Sequence, residues 1–464
     1  MKGSLTAVAL LLGLGFLPAV ASAQVVTTLA GSGAAGSADG TGAAASFNWP
    51  FGVAVDGGGN VYVADASNNR IRIVSAAGFV TTLAGSGAVG SADGAGPVAS
   101  FRNPSGVTVD GAGNVYVADT CNHRIRKISP DGLVTTFAGS GAAGSSDGMG
   151  TAASFSNPVG LATDGSGRLF VADTGNNRVR MISPAGLVTT LAGSGAAGSA
   201  DGPAAAASFF KPYGVAVDAT GVVFVADNLN HRIRKIAPDG IVTTLAGSGE
   251  SGSADGTGAA ATFSYPLGVA ADSAGSVYVA DFQNNRIRKI ASGGVVSTLA
   301  GSGALGNADG TGAAASFRCP GGVALDAASN VYVGDSGNNR IRKITPPKGS
   351  CTPDALTACL IGGRYQVTSH WRNQYADGQV STLPATRLTD ATAAFWLTNP
   401  DVYEYLIRIS TATDNGRAWI AIPTFTDVEF WIDVTDTTTG QSKQYHSPAG
   451  NRTLVYDPSY FVYP

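Results

Sequence analysis

The sequence predicts an all-β protein, a six-bladed β-propeller followed by a C-terminal β-sandwich-like domain. Three observations support this prediction. The motif VYVADASNNRIRI at residues 61–73 has five further counterparts, each 54 residues after the last. β-branched runs alternate with clusters of Gly, Ser and Asp, and Gly accounts for 64 of 464 residues. Such runs are typical of short strands joined by tight turns, and long fixed repeats are typical of units that stack around one core.

Each repeat contains four strand-like runs. In the second repeat they are residues 106–110 (GVTVD), 115–119 (VYVAD), 124–128 (RIRKI) and 134–138 (VTTFA). Gly, Asn, Asp and Pro separate these runs, as expected for tight turns. The pattern predicts a four-stranded antiparallel meander, which is the blade of a propeller.

The first strand of the mature chain predicts how the ring closes. Residues 25–30 (VVTTLA) match the fourth strand of a blade, whereas the last repeat ends after its third strand, at residues 340–344. We expect the N-terminal strand to complete the final blade, because this pairing would cover strand edges that are otherwise exposed.

The patterns P-x-G-V-A-V-D, G-N-V-Y-V-A-D and N-x-R-I-R-K-I resemble the NHL repeat. The resemblance covers residues 24–346 and implies a β-propeller, which is commonly six-bladed in this family. One departure is an added loop in each repeat, such as residues 31–47. Some NHL relatives are enzymes, and the resemblance to the lyase of peptide amidation would imply a zinc ion held by histidines in the channel.

Histidine content argues against such a zinc enzyme. The chain has His123, His231, His370 and His446, and the first two occupy the variable position of N-x-R, where the other repeats have Asn. They lie two blades apart without a third His in the repeats, so a three-ligand zinc site is poorly supported. The sequence also lacks G-x-S-x-G, G-x-x-x-x-G-K-[ST] and C-x-x-C motifs. We therefore expect no enzyme activity, no metal and no cofactor.

A polar set built on Asp65, Asn68 and Arg70 recurs in every repeat. An Asp before and an Arg after a tight turn can pair, and Asn can hold the turn. A catalytic site must break the sixfold symmetry that this set obeys, so we interpret it as structural. The other members considered are Asp119, Arg124, Asp173, Arg178, Asp227, Arg232, Asp281, Arg286, Asp335 and Arg340.

A second acidic series begins with Asp39, and each member precedes Gly. Calcium requires six to eight converging oxygens, and one Asp per loop supplies too few. We interpret these residues as forming Asp-Gly turns or capping the following AAASF-type segment. The series is Asp39, Asp93, Asp147, Asp201, Asp255 and Asp309.

Residues that differ between repeats are better candidates for function. The loops before the first strand and after the second strand are expected on one face of a propeller, and their large side chains are concentrated in repeats one, four and five. Exposed rings on a rigid scaffold can bind ligands, although the same rings could instead close the channel or pack beneath the added loops. The ligand-binding candidates are Trp49, Phe51, Lys211, Tyr213, Asn228, Tyr265 and Phe282.

The chain ends indicate secretion and a second domain. Residues 1–23 have the pattern of a signal peptide, with Lys2, an apolar run and Ala21-Ser22-Ala23, so we expect cleavage near Ala23 and an extracellular or periplasmic protein. Residues 347–353 are a Pro-containing linker. Residues 354–464 contain strand-like runs and resemble an uncharacterised β-domain found at the C-termini of secreted bacterial proteins, through CLIGGRY at 359–365 and TDVEFWIDVTDTTTG at 426–440.

Four cysteines fit an oxidising compartment. We expect Cys351 and Cys359 to form a disulfide because they bracket a short loop. Cys121 and Cys319 lie in different repeats, and we expect both to be unpaired thiols.

Charge limits the possible partners. The chain has a net charge of −3 and lacks a basic stripe or polybasic segment, so nucleic acid is not an expected partner. No later apolar run reaches the length of about 18 residues that a membrane span needs.

The sequence therefore predicts a secreted, monomeric, non-catalytic binding or scaffolding protein whose partner is an extracellular protein or a polysaccharide. The alternatives are a propeller-type lyase or hydrolase with its site in the central channel, and a propeller that acts as a spacer for a ligand-binding C-terminal domain.

Overall fold

The computed structural model describes residues 24–346 and, C-terminal to them, ten strands between residues 357 and 462. The expected signal peptide, the linker and Cys351 of the expected disulfide lie outside the described residues. Residues 24–346 form one compact unit. Its strands form six antiparallel sheets arranged as the blades of a propeller.

Four strands of each blade follow the chain outwards from the channel. The first strands are Pro50–Val55, Pro104–Val109, Pro158–Thr163, Pro212–Val217, Pro266–Ala271 and Pro320–Leu325. The second are Val61–Asp65, Val115–Asp119, Leu169–Asp173, Val223–Asp227, Val277–Asp281 and Val331–Asp335. The third are Arg70–Val74, Arg124–Ile128, Arg178–Ile182, Arg232–Ile236, Arg286–Ile290 and Arg340–Thr345. The fourth are Phe79–Ala84, Leu133–Ala138, Leu187–Ala192, Ile241–Ala246, Val295–Ala300 and, in the sixth blade, Val25–Ala30.

The four predicted strands of each blade are confirmed, but each blade also has a fifth, outermost strand of two residues that the sequence did not predict. This strand comes from the added loop, which runs from one blade over the outer edge of the next, as Gly40 and Thr41 do against Val80 and Phe79. The loop therefore links adjacent blades. The short strands are Gly40–Thr41, Gly94–Ala95, Gly148–Met149, Gly202–Pro203, Gly256–Thr257 and Gly310–Thr311.

Short 3-10 helices complete the repeats. One follows each second strand, and four others follow the short outer strand. The first group is Ala66–Asn68, Thr120–Asn122, Thr174–Asn176, Asn228–Asn230, Phe282–Asn284 and Ser336–Asn338, and the second is Gly42–Ala44, Gly150–Ala152, Gly258–Ala260 and Gly312–Ala314. Across the described part of the chain, no helix is long and apolar enough to span a membrane.

The hydrophobic core lies between the blades. One cluster joins Val53, Val63 and Val74 of the first blade to Tyr332 and Ile341 of the sixth. Equivalent clusters connect each neighbouring pair. Because the buried face of each blade packs on another blade, a single repeat could not bury its apolar surface alone.

The N-terminal strand closes the ring. Val25–Ala30 pairs antiparallel with the third strand of the sixth blade, with Val26 opposite Ile344, and it also pairs with Gly310–Thr311. Both ends of the propeller chain therefore lie in the same blade.

Glycine in the P-x-G motif allows the first strands to approach one another around the channel. A Cβ atom on Gly106 would lie 2.0 Å from the carbonyl oxygen of Val159 in the next blade. The side chain of an Ala at this position would overlap backbone atoms, which cannot move aside as a side chain can by changing its rotamer.

The described C-terminal strands form two five-stranded sheets. One has the order Thr357–Leu360, Tyr365–Arg372, Phe430–Asp436, Gln441–Ser447, with Val380–Thr382 paired to Tyr365–Arg372. The other has the order Ala385–Thr389, Thr392–Phe395, Tyr405–Thr411, Arg417–Ile422, Val455–Val462.

Candidate ligand-binding face

A buried ionic unit occupies the same place in each blade. In the first blade, the Arg72 guanidinium lies 2.9 Å from the Asp65 carboxylate, and both side chains are fully buried. The same guanidinium lies 2.6 Å from Asp39, whose side chain is 48% exposed. Its carbon atom lies 5.3 Å from the centroid of the Phe47 ring, within the range of cation–π attraction. The arginines of this series are Arg72, Arg126, Arg180, Arg234, Arg288 and Arg342.

Asp65 is also held by neutral donors. It accepts hydrogen bonds from the Asn48 backbone N–H at 2.8 Å and from the Asn68 amide at 2.8 Å. The Asn68 amide also donates to the Gly36 carbonyl at 2.7 Å. Burial raises the pKa of Asp65, and the hydrogen bonds from Asn48 and Asn68 and the charge of Arg72 offset part of that rise. The unit therefore joins the second and third strands to the added loop.

The predicted pairing of Asp65 with Arg70 is wrong. Asp65 lies opposite Arg70 in the strand register, but its carboxylate contacts Arg72, two residues further along the same face, because diagonal neighbours lie within reach of a long side chain. Arg70 instead donates to the Ser86 carbonyl at 3.2 Å. The same correction applies to Arg124, Arg178, Arg232, Arg286 and Arg340.

The interpretation of the Asp39 series as turn or cap residues is also wrong. Besides its contact with Arg72, Asp39 accepts from the backbone N–H of Thr82 at 3.3 Å and from its hydroxyl at 3.1 Å. The following 3-10 helix, Gly42–Ala44, has no side-chain cap. Asp39 thus fastens the added loop to the outer strands of the next blade.

The loops before the first strand and after the second strand meet on one face, which we call the candidate face. The backbone N–H of Ser67 donates to the Asn48 carbonyl at 3.1 Å within a blade. The N–H of Trp49 donates to the Asn339 side chain of the preceding blade at 2.9 Å. The residue equivalent to Trp49 has a left-handed backbone in every blade, with φ values of 56°, 51°, 46°, 52°, 51° and 50° for Trp49, Asn103, Asn157, Lys211, Tyr265 and Cys319.

This geometry explains why His replaces Asn at two of these acceptor positions. His123 Nδ1 accepts from the Asn157 N–H at 3.0 Å, and His231 Nδ1 accepts from the Tyr265 N–H at 3.2 Å. Each imidazole does what the Asn oxygen does elsewhere, provided that it is neutral. The His231 and Tyr265 rings also pack edge to face with centroids 4.7 Å apart.

We expect the His231→Asn variant to lose less stability than the wild type between pH 7.5 and pH 5. Burial lowers the pKa of His231 below the ordinary value of a histidine, and the negative charge of Glu250 offsets part of this shift. Because the folded state favours the neutral ring, His231 contributes to folding stability at pH values above its pKa in the unfolded chain. This contribution is lost as the pH falls through the pKa of His231 in the folded protein. Thermal melts at the two pH values would measure the difference.

Asn177→His provides a matched control, because Asn177 accepts the Lys211 N–H at 3.0 Å in the same way. This variant should acquire additional acid sensitivity. His123 is unchanged in all three proteins, so its contribution cancels. Parallel pH dependence for the wild type and His231→Asn would contradict the assignment.

Two of the candidate rings meet above the channel although they belong to opposite blades. The Phe51 and Tyr213 centroids lie 6.3 Å apart with an interplanar angle of 54°. They line a cavity of ≈ 50 Å³ together with Ser105, Val159 and Leu267. These two side chains therefore cover one end of the channel. This placement agrees with the alternative interpretation from the sequence, in which the rings close the channel instead of binding a ligand.

The channel below is wider, and the side chains that line it are mainly apolar. A cavity of ≈ 250 Å³ is lined by Val, Ala and Leu residues of the first strands, with Thr108 and Thr163 as the polar side chains. Among the residues that line the two cavities, Tyr213 alone is titratable. No group of three or more His, Cys, Asp or Glu side chains suited to a metal is present in the described residues.

Asn228 is placed in the protein interior, where it cannot face a ligand. It is 5% exposed, and its amide donates to the Pro266 carbonyl of the next blade at 3.1 Å. Thr120, Thr174 and Ser336 bond the equivalent proline carbonyls. Polar residue types at this position could have indicated the shared role from sequence.

The remaining candidates stay accessible on the candidate face. Trp49 is 39% exposed, and Lys211, Tyr265 and Phe282 are half-buried. Cys121 and Cys319 are half-buried free thiols. The structure thus divides the candidates into two rings over the channel, one buried interblade donor and four accessible side chains.

Comparison with known proteins agrees with the propeller architecture. The family model described as NHL repeat matches residues 47–74, 101–128, 155–180, 211–236, 263–290 and 317–344. The chain is 31% identical over 284 residues to the Arabidopsis thaliana protein SUPPRESSOR OF QUENCHING 1, chloroplastic, covering 57% of this chain and 27% of the plant protein. It is 30% identical over 335 residues to NHL repeat-containing protein 2 of Gallus gallus, covering 63% and 46%. The chain thus spans less than half the length of these relatives.

Solved structures show the same fold at low identity. A structural genomics protein of unknown function from Bacteroides thetaiotaomicron aligns with a TM-score of 0.55 at 22% identity, over 70% of this chain and 76% of that one. An auxiliary nutrient binding protein from the same species aligns with a TM-score of 0.54 at 17% identity, over 69% and 76%.

Proposed function

We propose that this chain of six NHL repeats, folded as one propeller, is a secreted, non-catalytic binding protein. It presents its candidate face to an extracellular protein or a polysaccharide. The observation that carries this proposal is the placement of Trp49, Tyr265 and Phe282. These rings do not repeat between blades, whereas the repeating Asp39, Asp65 and Arg72 series hold the blades together. Accessible rings on a rigid frame suit binding at low entropic cost.

The channel supports this function better than the lyase or hydrolase alternative. General acid–base or nucleophilic chemistry needs titratable groups that converge on a substrate. The two channel cavities offer Val, Ala, Leu, Phe and Thr side chains and the hydroxyls of Ser105 and Tyr213. The Ser105 hydroxyl donates to the Asn103 carbonyl at 3.3 Å. Burial raises the pKa of the Tyr213 hydroxyl, which disfavours its use as a base.

Two further parts of the proposal come from the sequence. The signal-peptide pattern of residues 1–23 supports secretion, and the strand-rich region 354–464 supports a β-sandwich. We further infer a monomer, because the fold needs no second copy to close its ring.

Replacing Trp49, Tyr265 and Phe282 together with Ala should weaken ligand binding at least about tenfold, since truncated aromatic anchors commonly cost 2 kcal/mol or more. Binding of the full mature chain to a polysaccharide array and to purified extracellular proteins would be measured before and after substitution.

Phe79→Ala is a matched control, because Phe79 is an aromatic with 49% exposure that begins a fourth strand, away from these loops. It should leave binding unchanged. Equal binding by the triple variant and the wild type would exclude the candidate face and favour the C-terminal domain as the binding site.

A further inference from the structure

Each blade has two arginines on its third strand, and the structure neutralises one of them. Arg72 contacts two carboxylates. Arg70 has no carboxylate within salt-bridge distance among the described residues, and its Nε atom is buried without a hydrogen-bond partner there, as is that of Arg72. Its one hydrogen bond goes to the Ser86 carbonyl. The half-buried arginines without carboxylates are Arg70, Arg124, Arg178, Arg232, Arg286 and Arg340.

All six arginines lie on the candidate face. Each begins a third strand directly after the loop that meets the Trp49-type residue, and each contacts the start of the next added loop. Arg102 and Arg318 are exposed on the same loops, and Lys211 is half-buried there. The face therefore concentrates positive charge beside its accessible rings.

Each ionic unit has two carboxylates and one guanidinium, so the six units together carry a net charge of −6, which equals in size the charge of the Arg70 series. Among the described loops of the candidate face, Glu250 is the one carboxylate outside the ionic units, because the Asp65 and Asp39 series are bound to the Arg72 series. Arg102, Arg318 and Lys211 against Glu250 then leave the face with a small positive excess of +2, whereas the whole chain has a net charge of −3. Because the carboxylates of the ionic units are already bound to the Arg72 series, an anion at this face would meet the Arg70 series without a competing carboxylate partner.

The opposite end of the blades has the reverse character. Asp56 lies in the turn after the first strand, where it accepts hydrogen bonds from Gly58, Asn60 and Tyr62, and the pKa of its carboxyl is lowered. Lys127 lies near this end, with its ammonium 5.8 Å from the Tyr116 ring centroid. Carboxylates outnumber basic groups at this end, so charge is separated along the propeller axis. The acidic residues here are Asp56, Asp110, Asp131, Asp164, Asp218, Asp239, Asp272 and Asp326, and the basic ones are Lys127, Arg168, Lys235, Lys289 and Lys343.

We propose that the candidate face binds a polyanionic polysaccharide, whose carboxylate or sulfate groups contact the Arg70 series while sugar rings pack on Trp49, Tyr265 and Phe282. Guanidinium groups match such oxyanions with paired N–H donors. A polysaccharide with one anionic group in each repeating sugar unit can present the same group to successive blades. The six equivalent arginines, one in each blade, require a ligand of this kind. This inference rests on the proposed function and adds the charge of the ligand to it.

The test compares three variants of the full mature chain. Arg124→Gln, Arg178→Gln and Arg340→Gln together remove three members of the series. Arg102→Gln with Arg318→Gln removes exposed side chains that form no salt bridge among the described residues. Lys127→Gln, Lys235→Gln and Lys289→Gln remove the same total charge as the first variant from the other end.

The probes are polygalacturonate, dextran sulfate, neutral dextran, polyglutamate and single-stranded oligothymidylate. We expect binding to one or both anionic polysaccharides, weakened at least about tenfold in the triple-arginine variant and about threefold in the double variant. The lysine variant should match the wild type. Raising NaCl from about 20 mM to about 200 mM should weaken the binding by screening.

Several results would overturn the inference. These are equal binding to neutral dextran, equal losses in the lysine and arginine variants, tighter binding to polyglutamate or oligothymidylate than to either polysaccharide, or no binding to either one. If binding to another ligand depends on the aromatic residues and not on the arginines, this inference fails while the proposed function stands.

Discussion

Arg72→Met should lower the free energy of unfolding by about 3–5 kcal/mol, because it leaves the Asp65 carboxylate buried without its counter-ion. The Asp65 side chain is fully buried, so water cannot replace the lost arginine. Asp39 is 48% exposed and can be hydrated. Equilibrium denaturation of the mature chain would measure the loss.

Arg70→Met is a matched control two residues away on the same strand. Arg70 bonds a backbone carbonyl near the surface, so its loss should cost about 1 kcal/mol or less. Adding Asp65→Asn to Arg72→Met should recover part of the loss, because Asn keeps an acceptor for the Asn48 N–H without a buried charge. Equal costs for the two methionine variants would contradict the assigned ion pair.

Deleting residues 24–30 should destabilise the whole propeller rather than one blade. The deletion removes the fourth strand of the sixth blade and the fully buried Val26 and Ala30. Burial of Val26 contributes about 2 kcal/mol, and each strand hydrogen bond adds about 1 kcal/mol. The total, on the order of 5 kcal/mol, is comparable to the stability of a typical domain.

Point variants of the same strand distinguish the stability that comes from packing of its buried side chains from the stability that comes from the strand as a whole. Val26→Ala should cost more than about 1 kcal/mol, whereas Val25→Ala should change stability by less than about 0.5 kcal/mol, since Val25 is 40% exposed and Val26 is fully buried. Calorimetry of the three proteins would measure the effects. A truncated chain that melts as cooperatively and at the same temperature as the wild type would show that the strand is not needed for closure.

Sequence alone determined the blade count and the position of most strands. The 54-residue interval sets the number of repeats, and alternating β-branched residues define strands because their side chains point to opposite faces in turn. The non-repeating residues were also visible in the sequence, since comparing equivalent positions singles out Trp49, Tyr265 and Phe282.

Tertiary structure alone decided which of these residues touch. Arg70 and Arg72 lie on the same face of one strand, so alternation cannot tell which of them meets Asp65. Asp39 reaches Arg72 only because the added loop crosses to the next blade, and Phe51 reaches Tyr213 only because the ring closes. These contacts join residues distant in the chain, and their geometry follows from how the blades pack rather than from any local pattern.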